Sequence, residues 1–250
     1  MTSDKSSSTA REIKCLTAMS ALSHPGLMSI QRICSIPGYV VVVMELAEGS
    51  MLEYMDVWFA EYRRSIDAQV LLNYFRPVAA ALDYLNARQH SRDNRWVGYQ
   101  HCDIKPSNLL LVDDRLKVAD FGLVTPTTAS LTPCQKAGTL DFTPPEMHRG
   151  MLSDRSDQYS LAVSYYFLRC GWLPFPAPPA NFVRSMSYRR PSPNLSHISG
   201  EEAVILERAL DIAPERRWES CSAFLDRLCE VVNLHTEEGS HAEMALGSGW

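Results

Sequence analysis

The stretch His101-Cys102-Asp103-Ile104-Lys105-Pro106-Ser107-Asn108 places a carboxylate, an ammonium and a carboxamide within six positions, then runs into the apolar Leu109-Leu110-Leu111. Asp113-Asp114 follows, then a second apolar run, Leu116-Lys117-Val118-Ala119, which stops at Asp120-Phe121-Gly122. Two such runs joined by a short acidic turn read as a β-hairpin. A hairpin reverses the chain, so Asp120 is expected back at the level of Asn108 and Asp103. Three oxygen-bearing side chains, distant in sequence, then share one mouth. Hard oxygen ligands from one or two side chains suit Mg²⁺ held against phosphates. The chemistry such a set supports is phosphoryl transfer.

The spacing His101-x-Asp103-x-Lys105-x-x-Asn108, followed in order by Asp120-Phe121-Gly122 and Pro144-Pro145-Glu146, resembles the eukaryotic-like Ser/Thr protein kinase superfamily. The likeness covers about residues 11–232. It implies an α+β, protein-kinase-like fold: a mostly helical C-lobe with a partial N-lobe sheet. It also implies transfer of the ATP γ-phosphate, with Mg²⁺, to Ser or Thr hydroxyls of a protein substrate. Asp103 would accept or orient the proton of the attacking hydroxyl. Lys105 would neutralise charge on the transferred group, and a lysine there resembles Ser/Thr rather than Tyr kinases. Asn108, the third residue of that catalytic set, and Asp120 would hold Mg²⁺. Met44 would be the gatekeeper, with Glu45-Leu46-Ala47 the hinge; the backbone of Glu45 and Ala47 would meet the adenine.

The same resemblance assigns supporting roles. His101 would pack near Phe121, Thr139 would hydrogen-bond Asp103 and Lys105, and Asp157 would bond the backbone of the catalytic loop. Glu146 would form a buried ion pair with Arg217, beside Trp218 where the family usually has proline. Cys102 stands where many kinases have an arginine that grips a phosphate on the activation segment. Its replacement removes a bidentate clamp, so control by phosphorylation of that segment is not expected from this position.

Residues 1–10 are Ser/Thr-rich and expected to be disordered. Ile13, Leu16, Met19 and Leu22 repeat at helical spacing, and Ser23-His24-Pro25-Gly26 ends that helix. Leu27–Ile36 and Tyr39–Met44 read as strands, so 11–47 makes a partial N-lobe of helix C, two strands and hinge. Residues 48–232 make the C-lobe, and 233–250 read as a disordered tail. Within the C-lobe, helices are expected over about 51–64 and 67–88, a loop over His90–Gly98, and an all-round buried helix over Leu161–Cys170.

The front of the chain departs from the family. No Gly-x-Gly-x-x-Gly and no Val-Ala-x-Lys stands upstream of Arg11, so Glu12, the candidate helix-C glutamate, has no lysine to meet. Val40-Val41-Val42-Val43 is apolar throughout, as in a strand covered on both faces. With one neighbouring strand the sheet would be marginal and its edge open. Three expectations follow: further residues upstream, a partly molten N-lobe, or strands supplied by a partner. The alternative function is a pseudokinase acting as a binding or scaffold module.

Composition narrows the classes. Hydrophobic residues make up 46% and charged residues 21%, ordinary for a globular chain. A net charge of -5 offers no basic footprint for nucleic acid, so no such partner is expected. Seven scattered cysteines without Cys-x-x-Cys spacing suggest reduced thiols and a cytoplasmic setting. The first residues lack an apolar signal-peptide core, and no run reaches the ~18 apolar residues of a membrane segment.

Overall fold

The computed structural model describes residues 13–36, 39–134, 138–176 and 189–246, the stretch 234–246 by its backbone alone. Glu12 therefore lies outside the described residues. Helix α1 (13–20) buries Leu16 and Met19, as its spacing predicts. The chain then lies along the active-site hairpin: Val118 N donates to Gly26 O (2.8 Å) and Met28 N to Val118 O (2.9 Å). Gly26 is required there, because a Cβ would stand 2.3 Å from Pro77 O on helix α3 (Ala68–Asn86).

Strands β1 (Ile30–Ile36) and β2 (Tyr39–Met44) pair antiparallel, with Ile33 opposite Val42 and Cys34 opposite Val41. Among the described residues, the valine run is covered on one face only. Ile33, Val40 and Val42 pack against the core, while Tyr39 (71% exposed), Val41 (40%), Val43 (42%) and Ile36 (50%) face outward. β-Branched residues favour a pleated backbone whether or not a second layer covers them, so the run announces a strand and not its cover.

The short strand β3 (Gly49–Ser50) leads into helix α2 (Met51–Tyr62) through a capping box. Glu53 N donates to Ser50 Oγ (3.2 Å), and Ser50 N donates to Glu53 Oε2 (2.7 Å). Each satisfies a donor the helix end leaves open. Ser50→Ala is expected to cost about 1 kcal/mol, read as a shift in the urea unfolding midpoint; an unshifted midpoint would mean the cap is dispensable.

After α3 the chain forms β4 (His90–Arg92) and β5 (Arg95–Gln100), an antiparallel hairpin where the sequence reads as a loop. The two-residue turn Asp93-Asn94 has φ of 50° and 60°. Asp and Asn tolerate that left-handed region, which two-residue hairpins need, and the polar composition around them hides the strands. The expected catalytic hairpin forms as read: β6 (Leu109–Val112) and β7 (Arg115–Val118) join through Asp113 (φ 50°) and Asp114 (φ 57°).

Strand β8 (Thr125–Thr127) pairs with β5, and β9 (Leu131–Pro133) with β10 (Met151–Ser153). The short helix α4 (Pro145–His148) lies just before β10. Helix α5 (Ser156–Cys170) is buried on nearly every side, as its apolar run predicts. Helices α6 (Gly200–Ala209) and α7 (Cys221–Leu246) close the body. Asp83 of α3 accepts from Cys221 N (2.8 Å) and Ser222 N (2.9 Å), placing a carboxylate on the α7 N-terminus. The α7 backbone stays helical to Leu246, past residue 233 where composition reads as tail; the Glu, Ala, Met and Leu of that stretch are good helix formers.

Candidate active site

The β6–β7 register sets the site. Leu109 pairs with Val118 and Leu110 with Lys117, and Ala119 N donates to Asn108 O (2.9 Å). The residue before Asp120 is thus tied to Asn108, as the hairpin reading requires. The catalytic loop is held from below by Asp157 at the start of α5, whose carboxylate accepts from His101 N (2.6 Å) and Cys102 N (2.9 Å). Complete burial pushes the Asp157 carboxyl up, against the pull of His101 and these two N–H groups. Gln100 completes the base, accepting from Asp157 N (3.0 Å) and donating to Asn86 Oδ1 (2.8 Å). Sequence reasoning missed Gln100; no motif marks it.

His101 is wholly buried, its Nε2 2.8 Å from Ala119 O and its ring edge-on to Phe121 at 5.8 Å. It fastens the loop to the hairpin, the architectural part expected of it.

Asp103 stands at the centre. Its Oδ1 accepts from Thr139 N (2.8 Å) and Thr139 Oγ1 (2.9 Å), while Oδ2 lies 2.9 Å from Lys105 Nζ and 3.0 Å from Asn108 Nδ2. Lys105 Nζ also donates to Thr139 Oγ1 (2.8 Å), and Asn108 Nδ2 to Asp103 O (2.9 Å). Burial pushes the Asp103 carboxyl up, but Lys105 and the Thr139 donors outweigh it and hold it below its ordinary value. Thr139 reaches Asp103 because Gly138 (φ 86°) passes so near the loop that a Cβ would meet Cys102 O at 2.6 Å.

Asp120 is exposed and sits in the left-handed region (φ 60°), its Oδ1 accepting a long contact from Gly122 N (3.4 Å). The oxygens of Asn108 and Asp120 fit a magnesium ion: one amide, one carboxylate, and the rest from phosphates and water. Among the described residues no group of three or more His, Cys, Asp or Glu forms a metal cage.

Met44 is the last residue of β2, and Glu45 and Ala47, expected at the hinge, come straight after it. Glu45 is tied down more firmly than the sequence suggests: Lys117 Nζ donates to its Oε2 (2.6 Å), Ser29 N to its Oε1 (2.7 Å), and Glu45 N to Ser29 O (3.2 Å). Burial raises the Glu45 carboxyl, yet Lys117 and Ser29 together hold it below its ordinary value. Lys117 is hidden from pattern reading as the polar position of an alternating strand.

The activation segment is anchored at its far end. Arg217 Nη1 and Nη2 donate to Glu146 Oε1 and Oε2, both at 2.8 Å, with Ser156 Oγ on Oε1 at 2.8 Å. Trp218, in the place of proline, donates from Nε1 to Ile205 O (3.1 Å) and carries Arg208 over its ring at 3.8 Å. Arg190, not foreseen, is buried and donates to Leu140 O (3.2 Å) and Asp141 O. Cys102 packs instead with Met147, Leu152 and Cys134, an apolar cluster.

Comparison with known proteins agrees with this geometry. The family model described as the protein kinase domain matches residues 1–229. A probable myosin light chain kinase of Dictyostelium discoideum is 30% identical over 211 residues, 80% of this chain and 56% of its own length. A maternal embryonic leucine zipper kinase of Danio rerio is 28% identical over 240 residues, 93% of this chain and 33% of its own. CBL-interacting protein kinase 16 of Oryza sativa subsp. japonica is 30% identical over 219 residues, 81% of this chain and 42% of its own. The chain thus spans between 33% and 56% of the length of these relatives. From the catalytic loop to the Glu146–Arg217 anchor, and by a match across most of its length, this chain belongs to the protein kinase family, with serine/threonine kinases among its relatives.

Proposed function

We propose that the chain transfers the γ-phosphate of ATP to Ser or Thr hydroxyls of protein substrates. The observation that carries this reading is Asp103, ionised and aimed by Thr139, Lys105 and Asn108. A carboxylate so placed orients an incoming hydroxyl and takes its proton, while the Lys105 ammonium offsets charge at the transferred group. Asn108 and Asp120 would hold Mg²⁺, which when bound neutralises the phosphates. Met44 would border the adenine, and the backbone of Glu45 and Ala47 would meet its edge. A protein substrate fits the net charge of -5 better than nucleic acid does. Among the described residues no helix is long and apolar enough to cross a membrane. None of the seven cysteines is in a disulfide, which supports a reducing, cytoplasmic setting.

The test is a thermal shift with Mg-ATP beside a peptide phosphorylation assay. A ligand at about 100 times its Kd stabilises by roughly 2.7 kcal/mol, so Tm should rise by several degrees and Asp120→Ala should abolish the rise. Phosphate should appear on Ser or Thr of the peptide. No shift and no incorporation would leave the scaffold reading in possession.

A further inference from the structure

We propose that Arg190 is a positioning residue for the phosphoryl-transfer site, gripping the backbone that aims Thr139 at Asp103. The proposal rests on the reading of Asp103 as the carboxylate that receives the substrate hydroxyl. The first observation is where the charge lies. Arg190 is 5% exposed and, among the described residues, joins no ion pair. Glu207 and Asp211 line a cleft with it, yet neither is its partner. Burying a guanidinium without a carboxylate is costly, and an apolar side chain of similar volume fills such a place without that cost. The charge is therefore placed for geometry and not for stability.

Aromatic faces carry it instead. Its guanidinium carbon stands 4.3 Å from the centre of the Phe175 ring and 5.9 Å from that of Tyr159. Those two rings stack at 6.1 Å, and Arg217 lies over Tyr159 at 4.9 Å. Tyr159 stands on α5 two residues after Asp157, which holds His101 N and Cys102 N. The two arginines that hold the activation segment thus share one aromatic pair, rooted in the helix that also holds the catalytic loop.

The second observation is what Arg190 grips. Its Nη1 donates to Leu140 O (3.2 Å) and its Nη2 to Asp141 O, two adjacent carbonyls just past Thr139. Among the described residues Arg190 is the one donor to Asp141 O. The rest of the turn is closed around this grip. Phe142 N (3.1 Å) and Thr143 Oγ1 (2.8 Å) donate to Thr139 O, and Ser160 Oγ donates to Phe142 O (2.8 Å). Thr139 begins the turn, and from it run both donors to Asp103 Oδ1 and the acceptor for Lys105 Nζ. Rotation of the Leu140 and Asp141 peptides would swing Thr139 off Asp103, and Arg190 opposes that rotation from outside the site.

The experiment follows amide hydrogen exchange by NMR in the full chain, beside steady-state peptide phosphorylation, for Arg190→Met and Arg190→Lys. In Arg190→Met the Thr139 N–H should exchange about tenfold faster than in the parent, while Leu161 and Val163 of α5 keep their rates. The kcat should fall by about the same factor with KM for Mg-ATP unchanged, the mark of lost alignment at the reacting end. Should Arg190→Met exchange faster throughout, Arg190→Lys gives the comparison: it keeps charge and stem but loses the planar fork, so Thr139 alone should speed up. Thr139 exchange within about twofold of the parent, or a rise shared equally by α5 in Arg190→Lys, overturns the proposal. So does an active parent whose kcat survives the loosening of Thr139. Because exchange needs no turnover, a parent that phosphorylates nothing would sink the kinase reading and leave the Arg190–Thr139 coupling to be decided by exchange.

Discussion

Arg217→Ala is expected to lower folding stability by about 3–5 kcal/mol, because removing one partner of a buried ion pair leaves the other charged and alone. Arg217 is almost fully buried, and its guanidinium donates to four oxygens: both of Glu146, Arg155 O at 3.0 Å and Asp211 O at 2.9 Å, with Tyr159 beneath at 4.9 Å. The substitution therefore strands the Glu146 carboxylate and two carbonyls as well as opening a cavity. For a chain of this size each kcal/mol moves Tm by about 2–4 °C, so a fall of roughly 10 °C is the measurable outcome. Lysine should not rescue it, since a point charge cannot reproduce the planar fork. An Arg217→Ala protein melting within a degree or two of the parent would show that the pair contributes little.

Asp103→Asn should depress kcat for the proposed phosphoryl transfer by about 10²–10⁴-fold, the usual contribution of a positioned general base. The amide keeps the size of the side chain and can still accept from Thr139, so the loop should remain folded and the Mg-ATP thermal shift should persist. Loss of turnover with retained nucleotide binding is the expected split. Turnover within about threefold of the parent would remove Asp103 from the chemistry and leave it a purely structural anchor for Thr139.

The parts of this site that were legible in the sequence are those fixed by local geometry. Asp113-Asp114 between apolar runs determines a hairpin and therefore the return of Asp120 to Asn108. The Glu146–Arg217 pair was legible only through family likeness, since 71 residues separate the partners. Other features were not legible because they depend on what lies across a surface. Lys117 looks like any outward strand residue until Glu45 is placed over it. The β4–β5 hairpin escaped because its polar strands lack the apolar alternation that announces a half-buried sheet. The valines of β2 misled for the opposite reason: four apolar residues in a row resemble a central strand, yet Val41 and Val43 meet no second layer among the described residues.

The hydrogen bonds around Asp103 have a kinetic side. Thr139 N, Thr139 Oγ1, Lys105 and Asn108 together occupy the four positions at which a carboxylate accepts. At rest the site is closed on itself, with no buried acceptor left hungry. An incoming hydroxyl cannot simply be added to such a centre; it must trade places with one of the residents. The tenant with the lightest hold is the Thr139 hydroxyl, because Thr139 N stays behind as a second tie to Asp103 and Oγ1 continues to accept from Lys105 Nζ. In the proposed phosphoryl transfer, substrate arrival would then be an exchange between two hydroxyls of the same chemical kind.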